Sequence, residues 1–493
     1  MDFKKYLSKL DKYDYLAIII VILAFAVRFA FYEHCLWVDE ARDLEVTRNF
    51  FSTGKQILFD EVYLVHPILN YIILATSSLF FGFTTLGGTM PSILLGALTV
   101  AVVYFIGSEV FNKKVGIAAS LIMLFHPLHW FYSSRALNNV PNTFFFVFAI
   151  YTFILFIKTK NNKYLYLTGL ITACAILTRF ASAILLIIMV IYLFLDKQTY
   201  NQLFSKFLPK KNTLIFLGIL LGLGAISLMY NQISYGQMFD TAIYLDVGLS
   251  KSTLDAQPWW YYFATFHVWI RLSITILFIL GVIIVFPKMD KLKFLLLLTI
   301  ILTFIEISIV SVKTDRYILP ILPFIALFAG YFLVALWGTI KKHKITIAYI
   351  VLIVILGAIV VPFYYEGSNM ITNIGKGFCG LDKAGQWVIQ NTSPEDNIFS
   401  ASYMSIGFYS NRDNIRPIPN TRQELVSLID SGGVNYIFLD GIERTQPEYL
   451  FEFLYNNSDF EVVGAVMDAQ DTTRPILIMY KYNTEPTDDQ NES

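Results

Sequence analysis

The sequence is short of charge, of cysteine and of any net electrical sign. Only 15% of its 493 residues are Asp, Glu, Lys or Arg, where a soluble domain carries about 25%. Its 37 basic and 37 acidic side chains cancel, so no field of one sign is available to hold nucleic acid, and no such partner is expected. Three cysteines, Cys35, Cys174 and Cys379, lack the spacing of a zinc or redox site. No metal or other cofactor is expected.

Apolar residues fill the space that charge leaves. They make up 56% of the chain, and 16% of it is aromatic. Runs near the ~20-residue length that crosses hydrocarbon recur, which reads as a polytopic membrane protein. The first run, 15–33, is followed by no small-residue cleavage site and reads as a retained helix rather than a signal peptide.

Eleven segments read as spans: roughly 15–33, 89–107, 115–131, 142–158, 164–178, 180–196, 213–231, 266–286, 293–312, 317–337 and 345–363. A twelfth, 67–83, opens on Pro67 and carries Thr76, Ser77, Ser78 and Gly82. Loops on the inner side of a membrane are enriched in Lys and Arg. If 67–83 does not cross, the clusters beginning at Lys4, Lys113, Lys158, Lys197, Lys288 and Lys341 all fall inside. If it crosses, every cluster after the first moves outside. The expectation is therefore eleven spans, an interfacial juxtamembrane helix at 67–83, a cytoplasmic N-terminus and an extracytoplasmic C-terminus.

After residue 363 the pattern changes to alternating helix-like and strand-like runs. Helices are expected at 380–391 and 421–431, the second with a Thr421–Glu424 capping box and Gly432 past its end. Strands are expected at 397–402, 434–440, 460–468 and 475–482. The reading is a membrane domain over 1–363, an extracytoplasmic α/β domain over 364–482 and a disordered tail over 483–493. The α/β domain's carboxylates Asp382, Glu395, Asp396 and Asp440 read as ordinary surface positions. On this topology Cys35 and Cys379 could meet outside the membrane, but nothing fixes their geometry and no disulfide is assigned.

The unusual polar residues collect on the expected outer side. The first outer loop holds Asp39, Glu40, Arg42 and His66; the second holds Arg135, Asn138 and Asn139. Arg179 stands in a tight turn, a longer loop ends in Pro258-Trp-Trp-Tyr261-Tyr262, and another turn holds Lys313, Arg316 and Tyr317. Any one of these cations could snorkel to headgroups. Repeated over separate turns, Arg135, Arg179, Lys313 and Arg316 read as a phosphate cradle, for which guanidinium is well shaped. The Asp39–Glu40 pair reads either as a solvated dipeptide or as the carboxylate that takes a proton from an acceptor hydroxyl. Arg28 and Glu306 lie inside spans; they could pair or line a cavity, Arg28 could instead snorkel, and Glu306 could instead be a protonated, buried carboxyl.

In chain order these motifs resemble glycosyltransferase family 39, which includes the protein O-mannosyltransferases and the lipid A aminoarabinose transferase. Asp39-Glu40-Ala-Arg42 is similar to the family's Asp-Glu motif, and His66-Pro67-Ile-Leu to the opening of its juxtamembrane helix. Pro91-Ser-Ile-Leu-Leu-Gly, Phe131-Tyr-Ser-Ser-Arg135, Leu177-Thr-Arg179, Pro258-Trp-Trp-Tyr-Tyr262 and Arg316-Tyr317-Ile-Leu-Pro continue the series. The resemblance implies a GT-C fold, a polyprenyl-phosphate sugar donor, and transfer to a protein, lipid or glycan acceptor on the outer face. It makes Asp39 the base, beside Glu40. Arg42, Arg135, Arg179, Lys313 and Arg316 would hold donor phosphate, and His66, Asn139, Tyr261, Tyr262 and Tyr317 would line the substrate cavity. Asn138-Asn139 stands where the family often has an acid, which argues against a metal-bridged mechanism and favours an inverting, metal-independent one. His66 stands where the aminoarabinose branch has lysine, which argues against that branch's substrates. The rival reading is a polytopic transporter or flippase of lipid-linked glycans, which predicts inverted repeats that are not found.

Overall fold

The computed structural model describes residues 10–58, 61–64, 66–205, 208–236, 256–374, 379–442, 446–468 and 473–483. Lys4, Lys5 and Lys9, most of the expected outer loop 232–265, and the tail after Asn483 lie outside the described residues. The chain divides into two compact units, one of residues 1–32 with 63–371 and one of 33–62 with 372–493.

The first unit is helical. α1 (Lys12–Phe29) opens on a reciprocal cap, in which Asp11 accepts from the Tyr13 and Asp14 backbone N–H groups and Asp14 accepts from that of Asp11. After the excursion that contains α2 (Val38–Thr53) come α3 (Ile68–Phe81), α4 (Thr85–Val110), α5 (Lys113–Phe125), α6 (Pro127–Ser133), α7 (Asn139–Thr159) and α8 (Asn162–Thr178). Then follow α9 (Ile184–Leu195), α10 (Lys197–Leu203), α11 (Lys211–Tyr235), α12 (Tyr261–Trp269) and α13 (Leu272–Val285). The unit ends with α14 (Lys291–Ile309), a 3-10 turn (Asp315–Ile321), α15 (Leu322–His343) and α16 (Ile345–Asn369). This last helix runs through the boundary expected after residue 363.

Among the described residues six helices are long and apolar enough to cross a membrane, and nine spans result if each of three bent pairs is one. The bends are 62° between α5 and α6, 111° between α9 and α10, and 107° between α12 and α13. Each has a local cause where a cause is visible. Pro127 opens α6 and ends α5 before it, and Arg271 at φ +73° separates α12 from α13. The two expected spans outside this count are α1, which carries Lys12, Asp14 and Arg28, and α8, of 17 residues. α3 has 14 residues, about 21 Å at 1.5 Å per residue, shorter than the ~30 Å hydrocarbon core.

Only 17% of the apolar stretch of α11 and 11% of that of α16 is buried, the signature of helices that face lipid. Inside the unit, small residues allow backbones to touch. A Cβ on Gly107 would lie 2.5 Å from the Gly116 Cα, and one on Gly281 2.1 Å from the Phe328 carbonyl oxygen.

The second unit is a three-layer α/β sandwich. Its main sheet has five strands, β1 (Ile398–Ser400), β2 (Ile415–Arg416), β3 (Tyr436–Asp440), β4 (Phe460–Met467) and β5 (Pro475–Tyr482), in the order β2-β1-β3-β5-β4. The first three are parallel, and β5 runs antiparallel to β3 and β4. Strand alternation feeds two cores. Ile398, Phe438 and Met479 pack against α17 (Leu381–Asn391) and α18 (Tyr403–Ser410). Phe399, Ile437 and Tyr480 pack with α19 (Arg422–Asp430) and α20 (Tyr449–Tyr455). Thr421 caps α19 by accepting from the Glu424 N–H, as the capping signal requires.

Two expectations change in this unit. Asp440 is not a surface acid; it is 4% exposed and accepts from Ser400 Oγ and the Ser402 and Ile442 N–H groups, tying β3 to β1. Cys35 and Cys379 are joined in a disulfide with a Cα–Cα distance of 5.0 Å. That bond brings the 33–62 excursion into the α/β unit. Arg48 reinforces it, with its guanidinium over the Phe408 ring at 4.8 Å, and Tyr409 Oη accepts from the Leu36 N–H at 3.2 Å.

Candidate functional site

The turns of the membrane unit fall into two chemically different sets, separated by the length of α7. One set carries lysines held by nearby acids. Lys113 pairs with Asp14 at 2.6 Å, Lys158 with Glu109 at 2.5 Å, and Lys291 with Asp196 at 2.7 Å. The other set carries arginines, aromatics and amides. Here Tyr132 Oη donates to Asp315 Oδ1 at 2.6 Å, fixing α6 to the 3-10 turn, and Ser182 Oγ donates to Asn142 Oδ1 at 2.6 Å, fixing the turn after α8 to α7. α8 stops at Thr178 because Arg179 turns extended, at φ −158°.

A cavity of about 210 Å³ opens among these turns, lined by Asn139, Asn142, Arg179, Ser182, Thr303, Glu306, Arg316 and Tyr317 with apolar neighbours from α7, α14 and the turn before α15. The Arg179 guanidinium lies over the Tyr317 ring, 4.5 Å from its centroid. The ring holds the planar cation in place beside the cavity. Two guanidiniums converging on amides and hydroxyls in a partly dry site are suited to an anion of phosphate type.

Of the residues expected at this site, Arg179, Arg316, Asn139 and Tyr317 meet in the cavity. Arg135 and Lys313 do not line it. Arg135 is 1% exposed with its guanidinium 5.6 Å from the Phe131 centroid. Lys313 folds back onto the carbonyls of Ile307, Ser308 and Val310, closing the end of α14, and burial pulls its ammonium below the usual lysine range. The cradle of four cations is thus a pair. Tyr262 is fully buried, exchanging hydrogen bonds with the Thr314 backbone, and neither it nor Tyr261 lines the cavity. His66 lies just before Pro67, the N-cap of α3.

Arg28 and Glu306 do not pair. Arg28 is fully buried and bonds the Ala24 carbonyl at 3.0 Å and His129 Nδ1 at 2.9 Å, so it does not snorkel. Glu306 lines the cavity. Asn142, Ser182 and Thr303 also line it without having been singled out from sequence. Thr303 could have been, since it stands three residues before Glu306 on the same helical face.

The acids of the first outer loop belong to the α/β unit, at the start of α2. Glu40 is fully buried; its Oε2 accepts from the Trp37 N–H at 2.7 Å and its Oε1 lies 3.0 Å from His34 Nε2. It anchors the helix start. Asp39 is 34% exposed and is bound through Oδ1 to Arg42 at 2.8 Å. Arg42 also bonds Asp43 at 3.2 Å, so its charge is shared between two acids of its own helix. Further along α2, burial pushes the Glu45 carboxyl up, against the pull of Arg48.

Residues 65–230, about a third of the chain, match the model of the dolichyl-phosphate-mannose-protein mannosyltransferase family. Over the whole chain, the structure is similar to ArnT from Cupriavidus metallidurans bound to undecaprenyl phosphate, with a TM-score of 0.69 and 14% identity over 94% of this chain and 97% of that one. This is the GT-C fold. It is also similar to the archaeal oligosaccharyltransferase AglB from Archaeoglobus fulgidus in complex with an inhibitory peptide and a dolichol-phosphate, with a TM-score of 0.62 and 12% identity over 89% of this chain and 70% of that one. No curated protein matches the sequence. The chain thus shares the GT-C fold of these proteins, built on a multi-pass helical membrane unit.

Proposed function

We propose that this GT-C protein transfers a sugar from a polyprenyl phosphate (undecaprenyl or dolichyl) to an acceptor hydroxyl. The observation that carries the reading is the cavity holding Arg179, Arg316 and Tyr317 at the arginine-bearing turns. The lysine-bearing turns follow the inner-side bias, which supports a reading with the cavity on the extracytoplasmic side of the plasma membrane and the N-terminus in the cytoplasm. Two guanidiniums offset the charge that grows on the phosphate as it leaves, so the departure needs neither a protein acid nor a metal in this reading.

Asp39 is the proposed base. Its neighbour Glu40 is buried and spent on the Trp37 N–H and His34, whereas Asp39 keeps a third of its side chain exposed. As the acceptor oxygen attacks the anomeric carbon, its proton passes to Asp39 and the bond to the phosphate oxygen breaks, with inversion. The acceptor is a protein, lipid or glycan.

Membranes containing the protein, given a labelled polyprenyl-phosphate sugar, are expected to release free polyprenyl phosphate as label appears in acceptor. A lipid-linked glycan moved across the bilayer intact, with no free polyprenyl phosphate formed, would make the protein a flippase instead.

A further inference from the structure

The cavity contains groups that a phosphate cannot use. Glu306 lines it together with the two arginines, and a carboxylate repels the anion that the arginines attract. An ionisable group within an apolar span is costly unless something retains it. Thr303, one turn away on α14, is 2% exposed, and its hydroxyl has no hydrogen-bond partner among the described residues. A buried hydroxyl left that way costs stability unless a ligand satisfies it. On α7, Asn142 has its amide oxygen occupied by Ser182, which leaves its NH₂ group as a donor. A carboxylate acceptor, a hydroxyl and an amide donor form a mixed set, which matches a neutral group carrying several hydroxyls. The cavity's 210 Å³ corresponds to about seven liquid waters. That leaves room for a sugar ring.

Resting on the proposed donor, we infer that Glu306, with Thr303 and Asn142, holds the sugar ring of that donor and selects a neutral polyhydroxylated sugar over a uronic acid. Glu306 accepts from ring hydroxyls, Asn142 donates to one, and Thr303 does either. An anionic sugar would bring a second acid into the same partly dry cavity, where two carboxyls cannot both ionise, a form of discrimination that added contacts alone do not give.

The test is binding of three lipids of one chain length to the full-length protein in nanodiscs: polyprenyl phosphate, its mannosyl derivative and its glucuronyl derivative. Wild type is expected to bind the mannosyl lipid more tightly than the bare lipid and the glucuronyl lipid less tightly. Glu306→Gln, of the same shape, should weaken mannosyl-lipid binding roughly ten- to a hundredfold, leave the bare lipid bound as tightly or more tightly and improve the glucuronyl lipid. Thr303→Val should lower only the mannosyl-lipid affinity, with Thr303→Ser restoring it. Variants that shift all three lipids equally, or none, would overturn the sugar assignment while leaving the donor reading intact. Failure of wild type to bind the bare lipid would instead sink the donor reading itself.

Discussion

The two units divide the candidate chemistry by charge. The membrane unit contributes cations, Arg179 and Arg316, held in turns between helices. The α/β unit contributes an acid, Asp39, at the start of α2, where a buried neighbour and a disulfide fix the local backbone. Cations suit the capture of an anionic headgroup, and a half-exposed carboxylate suits proton removal. The contrast teaches that binding and turnover should be separable by substitution. Variants of one unit should fail to bind donor, and variants of the other should bind it and fail to react.

The largest effect expected is on turnover. Asp39→Asn keeps the size and hydrogen-bonding shape of the side chain but removes its basicity. Single-turnover transfer should fall roughly 10²–10⁴-fold, the usual share of a general base, with donor affinity unchanged. Glu40→Gln should act on local order and leave the rate of the folded fraction within a few-fold. Reversed outcomes at 39 and 40 would exchange their roles.

Next comes the staple. Replacing Cys35 and Cys379 together by Ser removes a cross-link spanning 344 residues of sequence. A native disulfide in a small domain is worth about 2–4 kcal/mol, so thermal unfolding of the α/β unit should begin earlier. Transfer should weaken before donor binding does, since α2 belongs to that unit. A doubly substituted protein with unchanged thermal stability and activity would show that the bond is idle.

A smaller loss is expected in binding. Arg179→Ala or Arg316→Ala should weaken polyprenyl phosphate binding by about 1.5–3 kcal/mol, the value of a charge-assisted hydrogen bond, and the loss should shrink as salt rises. Titration by fluorescence or calorimetry in nanodiscs would show it. The smallest effect belongs to the lysine-bearing turns. Lys158→Ala breaks an exposed pair with Glu109, worth about 0–1 kcal/mol, and should leave donor affinity where it was. An equal loss in Lys158→Ala and Arg316→Ala would erase the difference between the two ends.

The sequence carried the membrane unit well because hydrophobic runs and lysine placement are local signals. Each of the eleven expected segments falls largely on helical residues, 115–131 and 266–286 each on two helices joined at a bend. The bends at Pro127 and Arg271 were not read, because a run's hydropathy is blind to direction. In the α/β unit the long strands were legible from alternation. The two-residue β2 and the short α18 and α20 were not, since they are too short to show a period. The site was half legible. Arg179, Arg316 and Tyr317 stood out as polar groups in the wrong kind of turn, but whether a cation lines a cavity or closes a helix end is a matter of rotamer and packing. Lys313 took the second course and Arg135 was buried beside Phe131. The disulfide could be named as a possibility but not assigned for a similar reason, because its partners lie 344 residues apart and only the fold brings them together.

The central claim is that the arginine-bearing end of the membrane unit receives the donor's phosphate. A structure of the full-length protein with polyprenyl phosphate bound tests it most directly. The phosphate is expected within hydrogen-bonding distance of both the Arg179 and Arg316 guanidiniums, at the mouth of the cavity lined by Glu306 and Tyr317. A phosphate bound among the lysine-bearing turns, or away from both arginines, would contradict the account.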